Sequence, residues 1–255
     1  MQRREFLQAS LTTTTALASA SACGLAVAAP AGAGRQLYEW RTYRLKDKSK
    51  QSTLSDWLQG AALPAWQRMG MGPIGVFTEI GEGAGPSIHV LLVYRNAAEI
   101  VEAQEALEKY ADYLAPKKED PAFERIDSSL MMAFAGAPQI TAPPTDAPQV
   151  LELRTYESFS EDRARAKVDM FNDGEIAIFP QCGFQNVFFG ETLIGPGLPN
   201  LKYMLAAPDM PANEANWKTF LAHPDFVRMK DDPKYADTVS KITKLFLEPT
   251  DYSQI

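Results

Sequence analysis

Glutamate, arginine and tyrosine stand at alternate positions in YEWRTYRL, as Glu39, Arg41 and Tyr43, and again in LELRTYES, as Glu152, Arg154 and Tyr156. The offset is 152 − 39 = 113 residues. A guanidinium held in a protein interior grips a carboxylate or enolate oxygen through paired N–H donors, and a nearby phenol can donate to the same oxygen. A buried arginine also needs a counter-charge, because an unpaired ion costs several kcal/mol away from water. Glu39 with Arg41, and Glu152 with Arg154, are the obvious pairs. Side chains alternate along a strand, so each Glu, Arg and Tyr share one face, with Tyr38, Trp40 and Thr42 (or Leu151, Leu153 and Thr155) on the other. The apolar positions suit a face packed beneath helices, which would aim the Glu-Arg-Tyr sets into the space between two sheets. There they either line a ligand pocket or act as ion pairs that set strand register.

Little else in the chain has the spacing of a reactive centre. Of two histidines, His89 lies in an apolar strand-like run and His223 precedes Pro224 near a helix end, where capping is the common role. No H-x-x-x-H, H-E-x-x-H or Cys-His spacing occurs, so no metal site is expected, and no cofactor; a lone axial haem histidine is the alternative left open. Cys182 has no histidine close in sequence and reads as a small core residue. The glycine-rich GEGAGP and IGPGLPN each fall between two strands rather than before a helix, which disfavours phosphate binding. Trp66, beside Pro64, is expected to pack in the core or to gate a barrel mouth.

These residues need elements to position them. The 113-residue offset extends well beyond the motif, setting Gly70 on Gly183, Pro86 on Pro199 and Leu92 on Leu205. An offset of 112 then sets Asp120 on Asp232, Ser128 on Ser240 and Phe134 on Phe246. The chain is therefore a tandem duplication of a unit of small-domain size. In the first copy LYEWRTYRL reads as a strand and 51–69 as a helix bent near Pro64. IGVFTEI and SIHVLLVY form a hairpin, 97–114 is a helix, and SSLMMAF is the closing strand. The second copy repeats the order. Two βαββαβ units predict an α+β fold, each unit a ferredoxin-like antiparallel sheet with both helices on one face, packed sheet to sheet as a pseudodimeric barrel. The organisation expected is a targeting segment at 1–34, a first domain at 35–136, a proline-rich linker at 137–149 and a second domain at 150–255.

The opening MQRREFLQAS and the charge-free run after it read as a cleaved export signal, with Arg3 and Arg4 resembling a twin-arginine pair. The expected location is periplasmic or extracytoplasmic, with lipidation at Cys23 a lesser option and no permanent membrane span. Without residues 1–34 the chain keeps 25 − 2 = 23 basic and 32 − 1 = 31 acidic residues, a net charge of −8. So acidic a surface repels phosphate backbones, and nucleic acid is not an expected partner.

The repeated E-x-R-T-Y strand, the βαββαβ order, the turn glycines Gly70 and Gly183 and the duplication together resemble the NIPSNAP family. The resemblance implies a dimeric α+β barrel fold. It implies no catalytic residue set, because the family as such brings none to carry over. Three functions stand at this stage: binding of a small, partly apolar ligand between the sheets, with Arg41, Arg154, Tyr43 and Tyr156 as anchors; a cofactor-independent oxygenase or isomerase; and a structural or partner-binding protein with a filled barrel. The duplication allows either a monomer with an internal pseudodimer or a homo-oligomer.

Overall fold

The computed structural model describes residues 34–114, 120–144 and 149–255; the proposed signal, with Arg3, Arg4 and Cys23, lies outside the described residues, as does part of the expected linker. The first unit runs β1 (Leu37–Arg44), α1 (Lys50–Trp57), a π turn (Leu58–Ala62), α2 (Leu63–Arg68), β2 (Gly75–Glu79), β3 (Ile88–Tyr94), α3 (Ala97–Leu107), α4 (Ala111–Leu114) and β4 (Arg125–Ala133). The second runs β5 (Val150–Glu157), α5 (Glu161–Met170), a π turn (Phe171–Glu175), α6 (Ile176–Gln181), β6 (Gln185–Ile194), β7 (Asn200–Ala207), α7 (Met210–Ala222), α8 (Pro224–Lys230) and β8 (Lys241–Pro249). No helix among the described residues is long and apolar enough to cross a membrane.

The bend expected at Pro64 is a widened turn whose cause is not the proline. Both copies carry it at equivalent positions, since 58 + 113 = 171 and 62 + 113 = 175, yet the residue equivalent to Pro64 is Ala177. Pro64 stands at the start of α2, directly after the widened turn. Gly70 and Gly183 follow the helices at φ of 75° and 93°, a left-handed cap that a side chain resists.

All neighbouring strands are antiparallel, and the eight close into one barrel in the order β1-β3-β2-β8-β5-β7-β6-β4. Each half supplies four strands, and β2 with β8 and β4 with β6 join the halves edge to edge. Closure within a single chain removes the unpaired edges that open sheets must protect. Glu39 lies opposite Leu130 and Glu152 opposite Phe246, so the last strands correspond at 246 − 130 = 116, not at 112. The matched serines and phenylalanines of the 112 offset are not structural equivalents.

The faces of β1 and β5 are the reverse of the sequence expectation. Tyr38, Trp40, Phe77, Leu91, Met131, Leu151, Leu153, Phe188, Met204, Leu247 and Ile255 point inward and fill the barrel. Tyr38 packs on Phe188 at 5.2 Å between ring centroids and Trp40 stacks on Phe77 at 5.8 Å. An eight-stranded barrel has an interior that side chains of this size can fill. The Glu-Arg-Tyr sets instead face outward, into the two layers between sheet and helices, where Tyr43 packs with Leu54, Leu58 and Trp66, and Tyr156 with Phe171 and Tyr203. Charge is tolerated there because helix and strand side chains can satisfy it.

Candidate functional site

In the second half β5 presents Glu152 and Arg154 beneath α7. Arg154 donates from Nε to Glu152 Oε1 at 2.6 Å, and its guanidinium lies 3.3 Å from the ring centroid of Trp217. The other carboxylate oxygen, Oε2, accepts from Asn213 Nδ2 at 2.9 Å and from Trp217 Nε1 at 2.6 Å. Asn213 and Trp217 lie four apart, one helical turn, so a single face of α7 reaches the carboxylate. Arg154 Nη1 donates to Tyr156 Oη at 3.3 Å, and Tyr203 Oη donates to the same oxygen at 2.8 Å. Glu152 is only 1% exposed and Arg154 7%. Burial works against the charge on Arg154, but Tyr203, Tyr156 and Glu152 outweigh it and hold the guanidinium above its ordinary range.

This constellation forms the floor of a cleft of about 450 Å³. Phe246, Leu221, Met210 and Trp217 give it apolar walls, while Lys218, Lys244 and Glu214 add charged groups. Because Glu152 is neutralised by Arg154, the two lysines leave the lining one cation in excess. Such a cleft suits a small molecule with an apolar body and an acidic head.

The first half builds its ion pair with different partners. Arg41 binds Glu39 in a fork, Nε to Oε1 at 2.7 Å and Nη2 to Oε2 at 2.9 Å. Glu39 also accepts from Tyr94 Oη and Ser128 Oγ, both at 2.8 Å. Burial alone would raise the Glu39 carboxyl, but the bonds and charge of Arg41, with those two hydroxyls, hold it below its usual range. Tyr43 is fully buried. The sequence-predicted residues thus lie in two separate layers, Glu39, Arg41 and Tyr43 in one and Glu152, Arg154 and Tyr156 in the other, rather than around one central cavity.

His89 faces into the barrel end, stacked on Trp40 at 5.3 Å. Its Nδ1 is 3.0 Å from Thr42 Oγ1 and its Nε2 is 2.9 Å from Glu79 Oε1, so both nitrogens are engaged within the chain. The second copy places Lys202 Nζ 3.1 Å from Thr155 Oγ1 at the equivalent position. His223 caps α8, its Nδ1 accepting from the Asp225 backbone N–H. Trp66 gates no barrel mouth. It is buried between α2 and the sheet, 5.9 Å from the Arg41 guanidinium carbon. Cys182 is buried, which pushes its thiol up.

Sequence reasoning missed Asn213, Trp217, Phe246 and Lys244 as residues of the site. The i, i+4 spacing of Asn213 and Trp217 was the available signal, since a polar side chain one turn from an indole on a core-facing helix asks for a shared acceptor. Phe246 and Lys244 were hidden by the four-residue error in the repeat offset.

The family model described as NIPSNAP matches residues 38–138 and 151–254, once in each half. No curated protein matches the chain. Among solved structures, a candidate monooxygenase from Fusobacterium nucleatum subsp. nucleatum superposes with a TM-score of 0.56 at 10% identity, over 85% of this chain and 93% of that one. A candidate monooxygenase from Lactobacillus acidophilus NCFM gives 0.55 at 11%, over 84% and 94%. An anthrone oxidase-like protein gives 0.52 at 11%, over 85% and 92%. At such identities the likeness is one of fold.

Proposed function

The chain belongs to the NIPSNAP family, and we propose that it binds a small, partly apolar molecule with a carboxylate or enolate head in the cleft between β5, β8 and α7. The observation that carries this reading is the Glu152–Arg154–Trp217–Asn213 constellation, a hydrogen-bonded polar floor fronting an apolar cleft with two lysines in its lining. Ligand sites have this composition: apolar walls with a few fixed polar groups. Because the barrel interior is packed, we read the site as lying in the layer under α7 instead of between the sheets.

Binding is favoured over turnover by the chemistry of the lining. A cofactor-independent oxygenase or isomerase needs a group to take a proton; both oxygens of Glu152 are already committed to Arg154, Asn213 and Trp217, which leaves Glu214 as the one carboxylate of the lining for that role. The names of the fold neighbours keep the oxygenase reading in view without supplying its residues. We also read the protein as exported, on the basic start and charge-free run of its first residues, and as working without a second copy, because the barrel closes within one chain.

The test is an NMR titration of the full chain with octanoate, following the indole N–H of Trp217. A saturable shift is expected, weakened about fivefold by Lys244→Ala, the upper end for a partly exposed ion pair. An indole signal that stays fixed up to millimolar octanoate argues against the cleft as the site, and consumption of the probe with oxygen would favour the enzyme reading.

A further inference from the structure

The two halves treat the helix-facing layer differently. Trp57 Nε1 and Trp66 Nε1 are buried and have no hydrogen-bond partner among the described residues, and Tyr43 Oη is buried with only the Arg41 guanidinium, itself a donor, within weak reach. All three belong to the first half, and contacts between rings link them. Tyr43 meets Trp57 at 6.2 Å, and Tyr113 meets Trp57 at 5.3 Å and Trp66 at 6.1 Å. Arg41 lies beneath Trp66, with two of its nitrogens committed to Glu39. An indole N–H only donates, so what this chamber lacks is acceptors. Burying such groups without partners costs about 1–3 kcal/mol each, which native proteins rarely leave uncompensated.

The second half shows what a self-sufficient version looks like. At the 113-residue offset Trp57 becomes Met170 and Trp66 becomes Phe179, neither of which carries an N–H. Val90, opposite Arg41, becomes Tyr203, opposite Arg154. Its hydroxyl donates to Tyr156 Oη, the equivalent of Tyr43 Oη. The second half therefore closes its own hydrogen bonds at each of these positions. In the first half a smaller residue, Val90, stands where that hydroxyl would be, and two indoles bring further donors.

We propose that this aromatic chamber is a second ligand site, distinct from the cleft under α7, which takes a flat molecule bearing a carboxylate or carbonyl whose oxygens accept from Tyr43, Trp57 and Trp66. Arg41 favours the anionic form, and the indole and phenol rings supply stacking surface. Tyr113, a half-buried residue of α4 that meets both indoles, also lines an outer cavity of about 240 Å³ with Pro64, Ala65, Arg68 and Tyr110, and a ligand would enter from that side as the Tyr113 ring moves.

The chain's four tryptophans make the test direct, because each indole N–H gives its own NMR signal and Trp→Phe variants assign them. The full chain is titrated with benzoate. The signals of Trp57 and Trp66 are expected to shift together and saturate with one dissociation constant. Tyr43→Phe, which removes only the hydroxyl oxygen and its hydrogen, is expected to weaken binding about tenfold. Val90→Tyr, which imports the second half's solution, is expected to abolish the response. Fixed Trp57 and Trp66 signals up to millimolar benzoate would overturn the proposal and give these donors to water, and so would an affinity that Tyr43→Phe leaves unchanged. The Trp217 signal reports the cleft separately, so either site can fail alone.

Discussion

Replacing Arg154 with methionine separates what the arginine does for the fold from what it does for a ligand. The substitution keeps most of the volume but removes a charge-assisted hydrogen bond to Glu152, worth about 1.5–3 kcal/mol. It also removes the stacked cation over Trp217, about 1–2 kcal/mol when desolvated, and a bond to Tyr156 of about 1 kcal/mol. These add to about 3.5–6 kcal/mol, which overlaps the range of about 3–5 kcal/mol for breaking a buried ion pair. Glu152 keeps the donors of Asn213 and Trp217, so the loss should not exceed that range. For a chain of this length the drop in melting temperature is on the order of 10 °C. Urea unfolding measures it, with Glu152→Gln and the double variant completing a cycle. Removing the stranded carboxylate should restore part of the loss, giving a coupling of about 2 kcal/mol. If Arg154→Met costs less than about 1 kcal/mol, or if the two substitutions simply add, the pair does not hold this layer together and the stability argument is wrong.

Two further predictions follow from backbone and charge. Gly183 has φ of 93° and an added Cβ would lie 2.6 Å from Asn216 Oδ1, whereas Gly70, at 75°, has open space around it. Gly183→Ala should therefore lower stability by about 2 kcal/mol or more and Gly70→Ala by about 1 kcal/mol, read from urea midpoints. The Glu39 carboxyl is held below its usual value of about 4.3, so below that pH the unfolded chain binds the proton first. Its contribution is complete above about pH 4.3 and is lost as pH falls through the folded value. Urea midpoints at falling pH should show Glu39→Gln, already weaker at neutrality, losing less on acidification than the parent; equal losses would remove Glu39 from the acid response.

The elements and the duplication were legible because each is a local pattern: alternating or three-and-four spacing of apolar residues, and one motif written twice. The direction of a face was not. In this closed barrel wrapped by helices both faces of β1 and β5 are largely buried, so alternation tells which of Tyr38, Trp40, Glu39 and Arg41 share a side without saying which side is inside. Polarity misled here, because the packed interior excludes charge while the layer under α7 offers Asn213 and Trp217 to receive it. The partners themselves were beyond reach for a second reason. Trp217 meets Glu152 across 65 residues, and the i, i+4 spacing of Asn213 and Trp217 asks for an acceptor without saying which one. The last strand was misaligned because chance identities, Ser128 with Ser240 and Phe134 with Phe246, outweighed a register that only hydrogen bonding reveals.

The duplicated glutamate and arginine therefore have a common structural task with unequal consequences. In the first half strand residues, Tyr94 and Ser128, complete the carboxylate, and α3 contributes nothing to it. In the second half α7 takes over that role through Asn213 and Trp217. The equivalent of Tyr94 is Ala207, so the second half has no strand hydroxyl to spare and its helix must supply the donors. The two layers lie on opposite sides of a barrel interior filled by Tyr38, Phe77, Phe188 and Leu247, each fully buried. A substitution in one layer meets no side chain of the other, so each layer is free to change its partners without disturbing its twin. That separation lets one half hold its Glu152–Arg154 pair beneath an apolar cleft while the other leaves the Trp57 and Trp66 donors without an acceptor among the described residues.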